Sequence, residues 1–426
     1  MRRFVLFALA VTLLLPASGT SALQPNDPAW PDQWAQRKIG LPQVWETTTG
    51  DPGIVIALID TGVNPMPDLE GALVPGWDFV ENDAIPQDTS THGTRVASVM
   101  AARGNNGLGM AGHCWGCRIM PVRVTAGGAV TPERIAQGII WAVEHGARIV
   151  NVSLTRPGSP DPTEQQAVQY ALDRGVLVVA SAGNAGNQVP QYPAAYPGVL
   201  SVGGTDDSDA LYFWSSRGPW VALTAPGCHM VLDPTITPGT ICGTSFTPGA
   251  VSGLAGLILS RNPSLTTYQV IAALTATAKP VPGVVFGRID ALAAFQLLGL
   301  VAPAQTTPAG TPSTRAGGAP RTPAPGQLYG RDIVFEAGSF RRSFRSTFRV
   351  GRGRFEMQLA TGRARECTLS LRSPGEVIMA VPAVKNLLSL SATLTAGRYT
   401  VDVRCRGSRN RLYSLGVIAM FPLAAP

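Results

Sequence analysis

The sequence predicts an α/β fold, with a parallel sheet covered by helices on both faces, followed by a proline-rich linker and a small all-β sandwich domain. Three observations predict it. Between about residues 53 and 300, short apolar β-branched runs alternate with helical patterns, an order that builds a parallel sheet with helices on either side. Residues 301–327 then place six prolines among Thr, Ala and Gly, and apolar periodicity stops. Residues 328–426 show short strand patterns separated by turn residues, without a convincing helix.

The elements follow from local chemistry. Residues 54–59 form a continuous apolar run, as expected of a strand buried on both faces. Residues 118–124, 149–154 and 176–180 have the same character. One helix opens at Thr131, Pro132 and Glu133: a capping hydroxyl, a proline in the first turn and an acid near the positive helix end. Ile135, Ile139, Ala142 and Val143 follow at helical spacing, and Gly146 closes it. Asp161 and Pro162 open a second helix that Gly175 ends. The proline stretch reads as a semi-extended linker. Beyond it, residues 344–350, 354–359, 368–371 and 399–403 read as strands of a sandwich of about a hundred residues.

The chain has 426 residues, more suited to two domains than one. Hydrophobic residues make up 45% and charged residues 14%, a balance that excludes a disordered chain. Arg2 and Arg3 precede an apolar run at 4–15 that Pro16 ends, the form of an export signal. Cleavage after Ala22, with Thr20 as the other small residue, or alternatively after Gly19, would release it. The run is too short to span a bilayer and no later stretch is longer. A secreted protein, extracellular or periplasmic, is therefore expected. The predicted organisation is a signal peptide at 1–22, an α/β domain at 23–300, a linker at 301–327 and a β-sandwich at 328–426.

Six cysteines in an exported chain are expected to be oxidised. Sequence proximity pairs Cys367 with Cys405, Cys228 with Cys242, and Cys114 with Cys117. The last pair forms a CxxC, which can also be redox-active or half a zinc site, but no second CxxC or close His pair accompanies it. Charge is uneven: from residue 328 onward there are 16 Lys and Arg against 6 Asp and Glu, a net +10, while the rest carries 18 against 21, a net −3. The basic excess is either a solvated face or a contact for an anionic surface such as the cell envelope or nucleic acid.

Three segments carry chemistry. Asp60 ends the first buried run in Ile-Asp-Thr-Gly, and ligand sites of open α/β sheets lie at such strand ends. His92 precedes an apolar helix in HGTRVASVMAA, and Ser245 precedes another in GTSFTPGAVSGLAG. Serine needs a base to become a nucleophile. Imidazole, with an ordinary pKa of about 6.5, can serve near neutral pH. A buried acid fixes its tautomer. Singly, these are a turn residue, a structural His and a helix cap. Together, in this order on an alternating β/α chain, they resemble the subtilisin-like serine proteases, the subtilases. The resemblance covers about residues 25–298 and extends to KIGLPQVWE from Lys38, VNVSL from Val150, ASAGN from Ala180, WSSRG from Trp214 and TAPG from Thr224. LTAGRYTVDVRC followed by YSLGVI near the C-terminus resembles, loosely, bacterial pre-peptidase C-terminal domains.

The family resemblance implies a secreted serine endopeptidase acting on proteins or peptides, as a monomer and without an organic cofactor. It implies Asp60 as orienting acid, His92 as general base and Ser245 as nucleophile. Asn184, ending ASAGN, would be a side-chain donor to the oxyanion, beside the Ser245 backbone N–H. Substrate would lie as an added strand along Ser153, Leu154 and Thr155 on one side and the segment with Gly127 on the other. Gln191 would form the floor of the pocket for the residue before the cleaved bond, making it shorter and more polar than a small residue would. A structural Ca2+ would sit among Asp27, Asp68, Asn106 and carbonyls of the 103–110 loop, oxygen donors suited to a hard cation.

The chain departs from the family pattern in four places. Pro248 stands three residues after the serine rather than four, with Gly249 and Ala250 next. Arg95 replaces a frequent His, and Thr155 replaces a frequent Gly. The stretch from Ala22 to Asp27 leaves no room for an inhibitory prodomain, so folding is expected to rely on calcium and disulfides or on outside help.

Overall fold

The computed structural model describes residues 22–301 and, beyond them, strands at 335–340, 343–350, 353–361, 367–373, 376–382, 387–394, 397–405 and 411–421. The expected export signal and linker lie outside the described residues. So do the side chains of Cys367 and Cys405, although their backbones face each other in adjacent antiparallel strands. The C-terminal strands pair in two antiparallel sheets of four.

The strands of the first 301 residues are β1 (Val55–Asp60), β2 (Trp77–Asp78), β3 (Arg118–Arg123), β4 (Ile149–Val152), β5 (Arg156–Pro157), β6 (Leu177–Ser181), β7 (Gln191–Tyr192), β8 (Leu200–Thr205), β9 (Leu223–Pro226), β10 (Cys228–Leu232), β11 (Pro238–Cys242) and β12 (Gly287–Arg288). The helices are α1 (Trp34–Lys38), α2 (Leu41–Trp45), α3 (His92–Ala101), α4 (Pro132–Glu144), α5 (Pro162–Asp173), α6 (Thr247–Arg261), α7 (Thr267–Ala276) and α8 (Ala291–Leu297). Eight strands form one sheet in the order β12-β9-β8-β6-β4-β1-β3-β2, and every pairing in it is parallel. The four expected strands and both expected helices are present, with ends moved by one or two residues.

Alternation along each strand explains why the sheet needs helices on both sides. Ile56 and Leu58 point into one core with α2, α3, α6, α7 and α8. Ala57 and Ile59 point into the other with α4 and α5. β1 therefore has no polar face, and a run that reads as continuously apolar is two half-cores interleaved. The caps behave as their sequences require. Thr131 accepts from Arg134 N–H, Asp161 accepts from Thr163 and Glu164 N–H, and Gly146 and Gly175 leave their helices at φ 87° and 72°.

Two disulfides are formed, Cys114–Cys117 and Cys228–Cys242. The second closes the β10–β11 hairpin by joining residues directly opposite each other. That hairpin runs straight into Gly243, Thr244 and Ser245. Its other end is tied to α3, because Leu232 N–H donates to Ser98 Oγ.

Two histidines lie wholly inside this region. His113 and His229 are 0% and 1% exposed, with ring centroids 5.6 Å apart. His113 Nδ1 donates to Val99 O at 2.8 Å, while His113 Nε2 and both nitrogens of His229 have no partner among the described residues. Burial pushes the His113 pKa down to about 4, and burial together with the neighbouring imidazole pushes His229 down to about 3. The unfolded chain, with ordinary imidazoles near 6.5, therefore takes up protons first. Stability from this pair is complete above about pH 6.5 and is lost progressively as pH falls toward 4. Denaturant midpoints measured from pH 7.5 down to 4.5 should fall for the native protein. They should fall less steeply for His229→Leu, which removes one titrating ring; equal slopes would contradict the assignment.

Candidate active site

The site forms where β1, β4 and β6 end and where β11 leads into α6. Asp60 is the last residue of β1 and is 0% exposed. His92 is the first residue of α3, with 31% of its side chain exposed. The His92 ring donates from Nδ1 to Asp60 Oδ1 at 2.7 Å, since a carboxylate oxygen can only accept. Thr61 N–H donates to the same oxygen at 2.7 Å. Asp60 Oδ2 is buried without a partner among the described residues, so its charge is left to the imidazole. That charge, strengthened by Asp88 and opposed by burial and by Arg95, holds the His92 pKa above its ordinary 6.5.

Glycine is required where α3 meets this loop. A side chain on Gly93 would run into Gly62 O and come within 3.2 Å of Asp60 Oδ1. Without it, Gly93 N–H can donate to Thr61 Oγ1 at 2.9 Å. Helix and strand end thus approach as closely as an imidazole–carboxylate bond needs.

Ser245 stands two residues before α6 and is partly exposed. Its carbonyl accepts from Ser153 Oγ at 2.7 Å. Ser153 Oγ in turn accepts from Asn151 Nδ2, and Asn151 Oδ1 accepts from Ser252 Oγ. This buried chain ties the end of β4 to both sides of the serine turn. Phe246, next in sequence, packs its ring with a centroid 6.1 Å from that of His92. The turn that carries Ser245 therefore lies beside the His92 ring. The Ser245 and His92 side chains share no hydrogen bond among the described residues, and such bonds in unliganded sites commonly tighten only once substrate binds. Pro248 lies at the second position of α6, where a missing N–H costs nothing, so the displaced proline leaves the helix intact.

Asn184 follows β6 and is exposed. Its Oδ1 accepts from Thr244 N–H at 2.8 Å and from Thr244 Oγ1 at 3.0 Å, while Thr244 Oγ1 accepts from Gly183 N–H at 2.9 Å. These bonds hold the Asn184 amide through its oxygen and leave Nδ2 without a partner in them. A side chain on Gly243 would lie 3.8 Å from Asn184 Nδ2 and 3.9 Å from Ser245 N. Two N–H donors thus border one space that Gly243 leaves open.

The expected substrate residues cluster around the same point. Ser153 is buried as described. Leu154 follows it, half-buried. Gly127 is exposed at φ 100°, and a side chain there would reach Ser90 Cβ at 3.0 Å, two residues before His92. Gln191 is 4% exposed, pairs with Pro157 across β5–β7, and passes under Gly183, where an added methyl would lie 2.9 Å from its Cγ. Sequence reasoning missed Thr244, Thr61 and Asp88. Each is an ordinary polar residue beside a motif, and only the fold reveals what it bonds to.

Asp27, Asp68 and Asn106 also come together, away from Ser245. Both acids are buried. Asp27 Oδ2 and Oδ1 accept from the N–H groups of Asn105 and Asn106. Asp68 Oδ1 accepts from Asn106 Nδ2 and Oδ2 from Met110 N–H. Asn106 Oδ1 accepts from Leu108 N–H. All five side-chain oxygens are therefore satisfied by the protein, and Asn106 turns its donor rather than its acceptor to the acid. So arranged, these residues form a hydrogen-bonded clasp that gathers carboxylate and amide oxygens, the donor type a hard cation takes. Among the described residues no group of three or more His, Cys, Asp or Glu could hold a metal.

With this geometry in hand, comparison with known proteins is specific. The subtilase family model matches residues 51–313. Thermitase from Thermoactinomyces vulgaris is 40% identical over 280 residues, covering 64% of this chain and 99% of thermitase. Subtilisin Savinase from Lederbergia lenta is 35% identical over 247 residues, covering 58% of this chain and 90% of Savinase. Among solved structures, a protease from Pseudoalteromonas arctica superposes with a TM-score of 0.60 at 28% identity, covering 64% and 98% of the two chains. MycP1 with its N-terminal propeptide removed gives 0.57 at 29% identity, covering 65% and 99%.

Proposed function

The chain belongs to the subtilase family of serine endopeptidases, and from that premise we propose that it is an exported enzyme that cleaves peptide bonds through Asp60, His92 and Ser245. The observation that carries this reading is the 2.7 Å bond from His92 Nδ1 to a fully buried Asp60. It leaves Nε2 as the nitrogen free to take a proton. His92 Nε2 takes the hydroxyl proton as Ser245 Oγ attacks the substrate carbonyl. The imidazolium then gives that proton to the leaving amine. An acyl-enzyme remains, which water attacks with the same base.

Negative charge forms on the carbonyl oxygen during each attack. Asn184 Nδ2 and Ser245 N–H, bordering the space over Gly243, are placed to receive it. The two Thr244 bonds to Asn184 Oδ1 hold that donor in advance, so little reorganisation is needed as charge develops. Gln191, under Gly183, favours a short or polar side chain before the cleaved bond. Export fits the apolar N-terminal run, and no helix of the described residues is long and apolar enough to cross a membrane.

A fluorophosphonate probe should label the wild-type chain and not Ser245→Ala; an unlabelled but folded wild type would refute the reading. Asn184→Ala should lower kcat by about 10²–10³ with little change in KM, the size typical of losing one oxyanion donor and known from subtilisin itself. The base must be neutral to act, so kcat/KM should fall on the acid side with an apparent pKa above 6.5, in line with the raised His92.

A further inference from the structure

Asp88 lies outside every motif that led to the site, yet no acid among the described residues accepts more hydrogen bonds. It is 4% exposed. Its Oδ1 accepts from Thr61 Oγ1 at 2.8 Å, Ser90 N–H at 2.9 Å and Thr91 N–H at 2.8 Å. Its Oδ2 accepts from Thr94 N–H at 2.8 Å and Thr94 Oγ1 at 2.7 Å. Its backbone is clasped by Asn64, whose Nδ2 donates to Asp88 O and whose Oδ1 accepts from Asp88 N–H.

Resting on the peptidase reading above, we propose that Asp88 is a positioning residue for His92. It is a single carboxylate that joins the loop after Asp60 to the first turn of α3 and so sets how the imidazole meets its acid.

The bonds trace a closed circuit. Thr61 N–H holds Asp60 Oδ1, and Thr61 Oγ1 donates to Asp88 while accepting from Gly93 N–H. Asp88 in turn receives the N–H groups on either side of His92, from Thr91 and from Thr94. α3 has no side-chain cap at Thr91, its N-cap position. Its free N–H groups are met instead by Ser90, Thr61 and Asp88. An acid at the positive end of a helix is favourable there. Thr91 itself sits at φ 69°, a conformation a β-branched residue adopts only when its surroundings force it. The turn built on Asp88 Oδ1 is what holds it, and the chain direction this imposes aims His92 at Asp60.

Charge adds a second effect. The charged groups that act on His92 are Asp60, Asp88 and Arg95; Phe246, just before α6, packs at its ring. Asp88 adds to Asp60 in favouring the imidazolium, which forms during catalysis, while Arg95 opposes both.

The test uses the full chain and compares Asp88→Asn with Thr61→Val. Asp88→Asn keeps the shape but removes the charge and faces an NH2 group toward the Thr94 donors. It should lower kcat by about 10²-fold with KM little changed, as expected of a misplaced base. It should also move the acid limb of kcat/KM to lower pH, because a His92 with less negative charge beside it stays neutral further into acid. Thr61→Val breaks the circuit but leaves the Asp88 charge, so it should lower kcat without moving the acid limb. NMR titration of the His92 ring in wild type and Asp88→Asn reads the same coupling without turnover. A drop in the His92 pKa would support the placement even if the wild type cleaved no peptide, in which case only the peptidase reading would fail. A folded Asp88→Asn variant with wild-type kcat and an unmoved His92 titration would overturn the proposal. If Asp88→Asn did not fold, Thr61→Val with wild-type kcat would overturn it as well.

Discussion

A carboxylate with no access to water governs this molecule. Removing Asp60 from solvent carries a cost of several kcal/mol that only well-placed donors can offset. Two donors are in place, Thr61 N–H and His92 Nδ1. The first comes from the next residue and is cheap. The second requires a helix more than thirty residues away to begin at one particular spot. Gly93 grants the closeness, Gly62 turns the chain, and β1 supplies a rigid floor between two cores. The need to pair one buried charge thus fixes the start of α3, and with it the exposed face of the imidazole.

The serine side is held by neutral bonds rather than by charge. A buried polar group left without a partner costs about 1–3 kcal/mol, more than a made bond usually contributes. Chains of such groups therefore tolerate few arrangements. Ser252, Asn151 and Ser153 form one chain that ends on the Ser245 carbonyl. Thr244 forms another that ends on Asn184. The Cys228–Cys242 bridge anchors the hairpin just upstream. The serine turn is fixed at once from the β10–β11 hairpin and from β4 and β6 at the carboxyl edge of the sheet, where strand ends converge and helices begin.

How much of this was legible in the sequence depended on the kind of signal. Buried strands were, because a run such as residues 54–59 has no polar face to confuse it with a helix. Helix starts at Thr131 and Asp161 were, because capping is a local interaction. Asp60, His92, Ser245 and Asn184 were located because each sits in a motif at an element end. Asp88, Thr61 and Thr244 were not, because their partners are other polar residues brought near only by the fold. Asp27, Asp68 and Asn106 come together as their residue types suggested, but which way Asn106 turns its amide is decided by the N–H groups of residues 105–110, and no spacing rule encodes that.

The same α3 that carries the imidazole also joins two buried titratable clusters, and they pull in opposite directions. In the acid clasp, burial and the neighbouring Asp27 raise Asp68 from 3.8 to about 6. The folded protein therefore binds a proton there before the unfolded chain does, and stability rises as pH falls through 6 toward 3.8. In the imidazole pair, His113 and His229 are lowered from 6.5 to about 4 and about 3, so the unfolded chain binds first and stability falls over an overlapping range. Each unit of displacement is worth about 1.4 kcal/mol, and the two imidazoles together are displaced more than twice as far as Asp68. Asp27 and Glu164, also raised by burial, act with Asp68, so buried acids and buried imidazoles oppose each other as pH falls. Acid acts on the site as well, since protonating His92 removes the proposed base. Because His92 is raised and the buried pair lowered, the proposed base takes its proton at a higher pH than the two buried imidazoles take theirs.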